Sequence, residues 1–311
     1  MSVEKLKAKK RIIESLRRID LMDVKVAEEV YDVIEKKPVA LERVFAKVSD
    51  KPFMFKEYFD KVVDRFKDDG LSAEKYFNAA KKHPALFCQS SETIEKNILG
   101  VVERFSEEGF TTKDYLKAAL KQPQLFSLTP ETVEKNIREV VSIFGDNGLT
   151  TKDYLKSAVK MPQLFCQSSK TIKKNVNSVV DEFKTDGVTI DFYINLAVKN
   201  PPLFFQKPQT IIEHMKIIKK IAGDGMVKDP DKMLEALNRR PTNLSLSSDN
   251  LRLRYALGYG LKNNNKKLFK FSSLFIKSRP VIENMVVDEF GEDSKEVLKM
   301  RQMGMLKSKL K

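Results

Sequence analysis

Residues 123–165 read PQLFSLTPETVEKNIREVVSIFGDNGLTTKDYLKSAVKMPQLF, and the phrase that opens the stretch also closes it. The prolines are Pro123 and Pro162, 39 residues apart, and the same interval extends outward to Pro84 and Pro201. Each opens nearly the same phrase: HPALF at His83, QPQLF at Gln122, MPQLF at Met161 and PPLFF at Pro201. Glycine keeps the same beat at Gly70, Gly109, Gly148 and Gly187. Self-similarity at a period of tens of residues marks stacked repeats, in which each unit buries its apolar face only against its neighbours. The expected fold is therefore all-α, an α-solenoid of about seven 39-residue units, each a helix, a proline turn, a second helix and a glycine turn. Pro241 and Pro280 are taken to mark two further, degenerate units.

Local chemistry sets the boundaries inside one unit. Ser72, Thr111, Thr150 and Thr189 stand where a hydroxyl can accept from the orphan N–H groups of a first helical turn. Asp114 and Asp153 follow Thr111 and Thr150 by three residues, an acidic form of the capping box. The first helix ends at its proline, because the residue before proline is driven out of the α region. Two apolar residues follow, such as Leu125–Phe126 and Leu164–Phe165, and a new cap at Ser90, Thr129 or Ser168 opens the second helix. Pro130 and Pro208 suit its first position. Val133, Ile137, Val140, Val141 and Phe144 then lie within about 100° of one helical face. The recurring glycine is expected to close this helix in a left-handed conformation. The resulting division is an N-terminal helical cap over 1–40, repeats over 41–285 and a basic C-terminal tail over 286–311.

Composition narrows the function. No run of 18 or more apolar residues exists, so no transmembrane helix is expected. The N-terminus has no apolar signal-peptide core and is interrupted by Glu4, Glu14 and Asp20, so an intracellular, reducing compartment is expected, the cytoplasm or an organelle after import. Cys88 and Cys166 occupy the same position two units apart, too far for a disulfide, and are read as small core residues. With His83 and His214 the only histidines, no metal-ligand spacing appears, and no nucleophile–base pair or phosphate loop is present. The chain is read as a non-enzyme without cofactor.

The net charge is +14, and it is uneven. Residues 201–311 carry 22 Lys and Arg against 12 Asp and Glu, whereas the first 200 residues carry 35 against 31. A basic end on a repeat protein suggests a polyanion. The first candidate surface is the run Arg239, Arg240, Arg252, Arg254, Lys262, Lys266, Lys267, Lys270, Lys277 and Arg279, among which only Asp249 is acidic. The second is a pair of lysine rows, Lys113, Lys117, Lys121 and Lys152, Lys156, Lys160, each at i, i+4, i+8 on a first helix and opposite the core-facing Tyr115 and Tyr154. A third set, Lys82, Lys121, Lys160 and Lys199, stands two positions before each proline, where capping of the helix dipole is the competing explanation. Asn97, Asn136, Asn175 and His214 border the apolar face of the second helix and are expected to bond neighbouring turns rather than read bases. Lys96, Lys135 and Lys174 point away from the core, and His83 is expected at the surface.

The stretch 123–165 resembles the repeat of the mitochondrial transcription termination factor (mTERF) family, as does RPTNLSLSSDNLRLRYALGYGL at 240–261, and the resemblance covers about residues 41–285. It implies a curved α-solenoid whose positively charged concave face binds double-stranded DNA or RNA. The leading expectation is thus a monomeric, non-enzymatic nucleic-acid-binding protein acting in transcription or RNA metabolism, with no membrane partner. A protein-interaction scaffold, in the cell or as a secreted bacterial effector, is the alternative, and a protein partner stays open.

Overall fold

A computed structural model describes residues 3–36, 38–223, 230–239, 241–246, 251 and 279–302. Among them the regular structure is helical throughout, with no strand. The chain forms two compact units: Met1–Glu139 with Thr151–Cys166, and Val140–Thr150 with Gln167–Lys311.

The first unit begins with α1 (Val3–Leu16), α2 (Val24–Glu35), α3 (Pro38–Asp50) and α4 (Met54–Phe66), which pack on one another. It continues with α5 (Ala73–Lys82), α6 (Ser91–Arg104), α7 (Thr112–Ala119), the first part of α8 (Pro130–Phe144) and α9 (Thr151–Lys160). The caps form as expected. The Ser72 and Ser90 hydroxyls accept from the amides of Lys75 and Thr93, and Thr111 and Asp114 complete a reciprocal capping box.

Each repeat proline opens a single 3-10 turn: Pro84–Cys88, Pro123–Ser127, Pro162–Phe165 and, in the second unit, Pro201–Phe204. That turn is the joint of the repeat. Its Leu–Phe pair is buried at every copy from Leu86–Phe87 to Leu203–Phe204. The Tyr115 and Tyr154 hydroxyls donate to the carbonyls of Leu125 and Leu164 in their own turns, at 2.8 and 3.1 Å. From the preceding second helix, the Asn97 and Asn136 amides donate to the carbonyls of Phe126 and Phe165, both at 3.0 Å. Tyr76 and Tyr115 meet the rings of Phe126 and Phe165 edge-on, with centroids 5.6 and 6.0 Å apart. Phe126 and Phe165 are therefore each held by the carbonyl from one helix and by the ring from another, which fixes the register between these repeats.

The second unit holds α10 (Ser169–Phe183), α11 (Ile190–Lys199), α12 (Pro208–Gly223) and α13 (Pro230–Arg239), followed by a 3-10 turn at Pro241–Ser245. α10 packs on α11 and α12, and α12 on α13. The joint recurs here: Tyr193 Oη donates to Leu203 O at 2.9 Å, and His214 Nδ1 lies 2.7 Å from Leu244 O at the place the asparagines hold earlier. α14 (Arg279–Phe290) and α15 (Lys295–Gln302) share a small core of Ile282, Val286 and Val297.

Three details differ from the sequence reading. The recurring glycine does not close the α-helix directly: after Phe66, Phe144 and Phe183 a three-residue 3-10 turn intervenes, and Gly70, Gly148 and Gly187 cap that turn with φ of 91°, 85° and 82°. Pro280 lies within the first turn of α14 instead of opening a 3-10 turn, so it does not repeat the role of Pro201 or Pro241. Residues 286–302, expected in a tail, are largely helical and contribute buried Val286 and Val297.

Candidate nucleic-acid interface

The charges of the first unit divide by helix. Along the second helices several of them are spent on one another. Arg65 of α4 pairs with Glu95 of α6, and Arg104 of α6 pairs with Glu131 and, at 2.8 Å, with Glu134 of α8. Glu134 also accepts from Arg138 at 2.7 Å. A hydrogen bond from Arg138, supported by one from Arg104, holds the Glu134 carboxyl below the usual carboxylate range, against desolvation, which alone outweighs the Arg104 bond. Lys61 and Glu92 stand 4.0 Å apart on the same side, around a shallow cavity of about 410 Å³ that Arg65 and Glu95 also line.

The first helices look different. Lys113 and Lys117 on α7, Lys121 just beyond its end, and Lys152, Lys156 and Lys160 on α9 are all exposed. None of the six forms an ion pair with a described residue. The neighbouring carboxylate Asp114 is committed to its cap, accepting from the Thr111 hydroxyl at 2.7 Å. α7 and α9 pack directly on each other. Lysines four apart rise about 6 Å along a helix, and packed helices lie about 8–10 Å apart, so the six ammonium groups form one patch. Lys82 on α5 is exposed as well. In the flanking repeats the row breaks: Glu74 and Asn78 precede Lys82, and Asp191 and Asn195 precede Lys199.

Lys199, in the second unit, is exposed and donates to Asn238 Oδ1 at 2.8 Å. Arg239 and Arg279 lie at helix ends whose backbone alone is described. Arg240, Arg252, Arg254, Lys262, Lys266, Lys267, Lys270 and Lys277 lie outside the described residues.

Other candidates resolve as parts of the frame. Asn97, Asn175 and His214 are buried, and Asn97, Asn136 and His214 face turn carbonyls, which removes them from any surface role. His83 is half-buried, with Nε2 3.4 Å from the Ser127 hydroxyl, which itself donates to Gln89. Burial pushes the Cys88 thiol up to about 12. It raises that of Cys166 as well, partly offset by the Gln124 amide that donates to its sulfur at 2.9 Å. Neither is a reactive thiolate. Among the described residues no group of His, Cys, Asp or Glu could hold a metal ion, and no helix is long and apolar enough to cross a membrane.

A comparison with protein families finds the mTERF model matching residues 2–187. The chain belongs to the mTERF family. The match begins just ahead of α1, so it takes in the helices of 1–40 that the sequence reading had set apart as a cap, and it includes α7 and α9 with both lysine rows. No curated protein matches the chain. Membership carries the coarse expectation of the family, a helical-repeat protein that binds nucleic acid.

Proposed function

We propose that this mTERF-family protein binds nucleic acid through the lysine face of α7 and α9, as a non-enzymatic factor in transcription or RNA metabolism. The observation that supports the reading is the contrast in pairing. In one compact unit Arg65 and Arg104 of the second helices close cross-repeat ion pairs, while six lysines on adjacent first helices pair with no described residue. Like charges at i, i+4 cost about 0.2–0.5 kcal/mol per pair, a cost that a phosphate backbone offsets by releasing its condensed counterions. Lysines supply point charges for phosphate oxygens and little base readout, so shape and charge set the preference more than sequence.

Binding of labelled duplex DNA, duplex RNA and single-stranded RNA across a range of salt tests this. Six phosphate contacts correspond to a slope of log affinity on log salt of about −5 for duplex DNA and about −4 for a single strand. Absence of binding at low salt, or affinity indifferent to salt, would refute the proposal.

A further inference from the structure

The second helices of successive repeats open on the same frame, and its outward charges reverse sign at one of them. α6 opens Ser91-Glu92-Thr93-Ile94-Glu95-Lys96-Asn97 and α8 opens Pro130-Glu131-Thr132-Val133-Glu134-Lys135-Asn136. α10 opens Ser169-Lys170-Thr171-Ile172-Lys173-Lys174-Asn175. The buried positions are kept, with Ile94, Val133 and Ile172 all at 0% exposure, so the reversal serves no packing purpose. In α6 and α8 the glutamates close ion pairs with basic residues of the preceding second helix, Lys61 and Arg65 of α4 and Arg104 of α6. In α10 the lysines that replace them are exposed and pair with no described residue.

This arrangement is unfavourable for α10 taken alone. Its first turn has no acidic residue, so Lys170 faces the positive end of the helix dipole. Lys170 lies three and four residues before Lys173 and Lys174, the spacings at which like charges repel across a helix face. Acidic groups on the elements around α10 are engaged elsewhere. Glu182 pairs with Lys216 at 2.6 Å, Asp186 with Lys219 at 2.7 Å, and Asp191 accepts from Asn147 at 2.6 Å. Glu213 on α12 has a partner of its own. Asp181 stands seven residues past Lys174, about 10 Å along the helix, which is about a Debye length.

We infer that Lys170, Lys173 and Lys174 form a second phosphate-contact strip, on the second-helix side of the other unit, for the backbone of a nucleic acid. The inference rests on the nucleic-acid reading above but on a different helix and a different observation. α10 carries no arginine and no aromatic residue before Phe183, so the strip suits phosphate oxygens and not base edges.

Lys170→Glu with Lys173→Glu tests it, because that pair gives α10 the charges α6 and α8 already carry. The variant is expected to keep or raise the thermal midpoint. It should bind a 30-base-pair duplex roughly tenfold more weakly, with a salt slope shallower by about 2. The neutral pair Lys170→Gln and Lys173→Gln should lose a similar amount of slope, and it decides the matter should the glutamate pair fail to fold. If both variants keep wild-type affinity and slope while Lys117→Gln with Lys156→Gln weakens binding, the α10 strip is overturned and the α7–α9 reading stands. If the wild-type chain binds no nucleic acid, the α7–α9 reading fails, and this inference with it.

Discussion

Asn97 shows how one side chain fixes a repeat. It is 5% exposed, and its amide donates to the Phe126 carbonyl in the next proline turn. Asn97→Ala would leave that buried carbonyl without its donor, a loss of about 1–3 kcal/mol. Chemical denaturation measures it directly, and a change below a few tenths of a kcal/mol would mean that the joint contributes little. Glu134 gives a second residue-scale outcome, in pH. Its folded carboxyl titrates below the ordinary value near 4.3 because Arg138 and Arg104 bond to it. A depressed carboxylate contributes stability in full above its unfolded value, and that contribution is lost as pH falls through the lower folded value. Carboxyl chemical shifts should therefore show Glu134 titrating low in the wild type and returning toward 4.3 in Arg138→Gln with Arg104→Gln. An unchanged titration in that variant would remove the arginines as the cause.

At the scale of the element, two glycines do different work. Gly148 has φ of +85° with open space around the position of a Cβ, so Gly148→Ala strains only the backbone and should cost about 1–2 kcal/mol. Gly100 is helical, and a Cβ there would stand 2.6 Å from Pro130 Cγ, where α6 meets the start of α8. Gly100→Ala should cost about 1–3 kcal/mol through overpacking. Comparison of the two melting temperatures with wild type checks both, and a neutral Gly100→Ala would show that the helices separate freely. Gly148 could be read from its period of 39, because a left-handed cap repeats with the unit. Gly100 could not, because its neighbours in the register are Lys61 and Glu139 and the close approach exists only in three dimensions. The same division runs through the fold. Caps, turns and the apolar stripe follow from local pattern and were legible. The tyrosine hydroxyls bonding ten residues ahead and the rings meeting fifty residues ahead were not, since they depend on how repeats stack. The 3-10 turns before Gly70, Gly148 and Gly187 are not legible, because segments such as Lys67–Asp69 and Lys184–Asp186 carry no residue that separates a 3-10 turn from a last α-turn.

For the whole molecule, the legible part of the candidate site was the periodic one. Lys113, Lys117, Lys121 and their copies were placed on an exposed face by spacing alone, and they are exposed. What spacing could not give was their lack of an ion-pair partner among the described residues, with Asp114 turned to its own cap. The charge reversal on α10 was present in the sequence, but it gains meaning only once Glu131 and Glu134 are seen paired with Arg104. The most direct measurement is the salt dependence of duplex binding by the wild type beside Lys113→Gln, Lys117→Gln, Lys152→Gln, Lys156→Gln, with helix content followed by circular dichroism. The lysine face predicts an unchanged helix signal and a slope of log affinity on log salt shallower by about 4 in the variant. A folded variant that retains wild-type affinity and slope would contradict it.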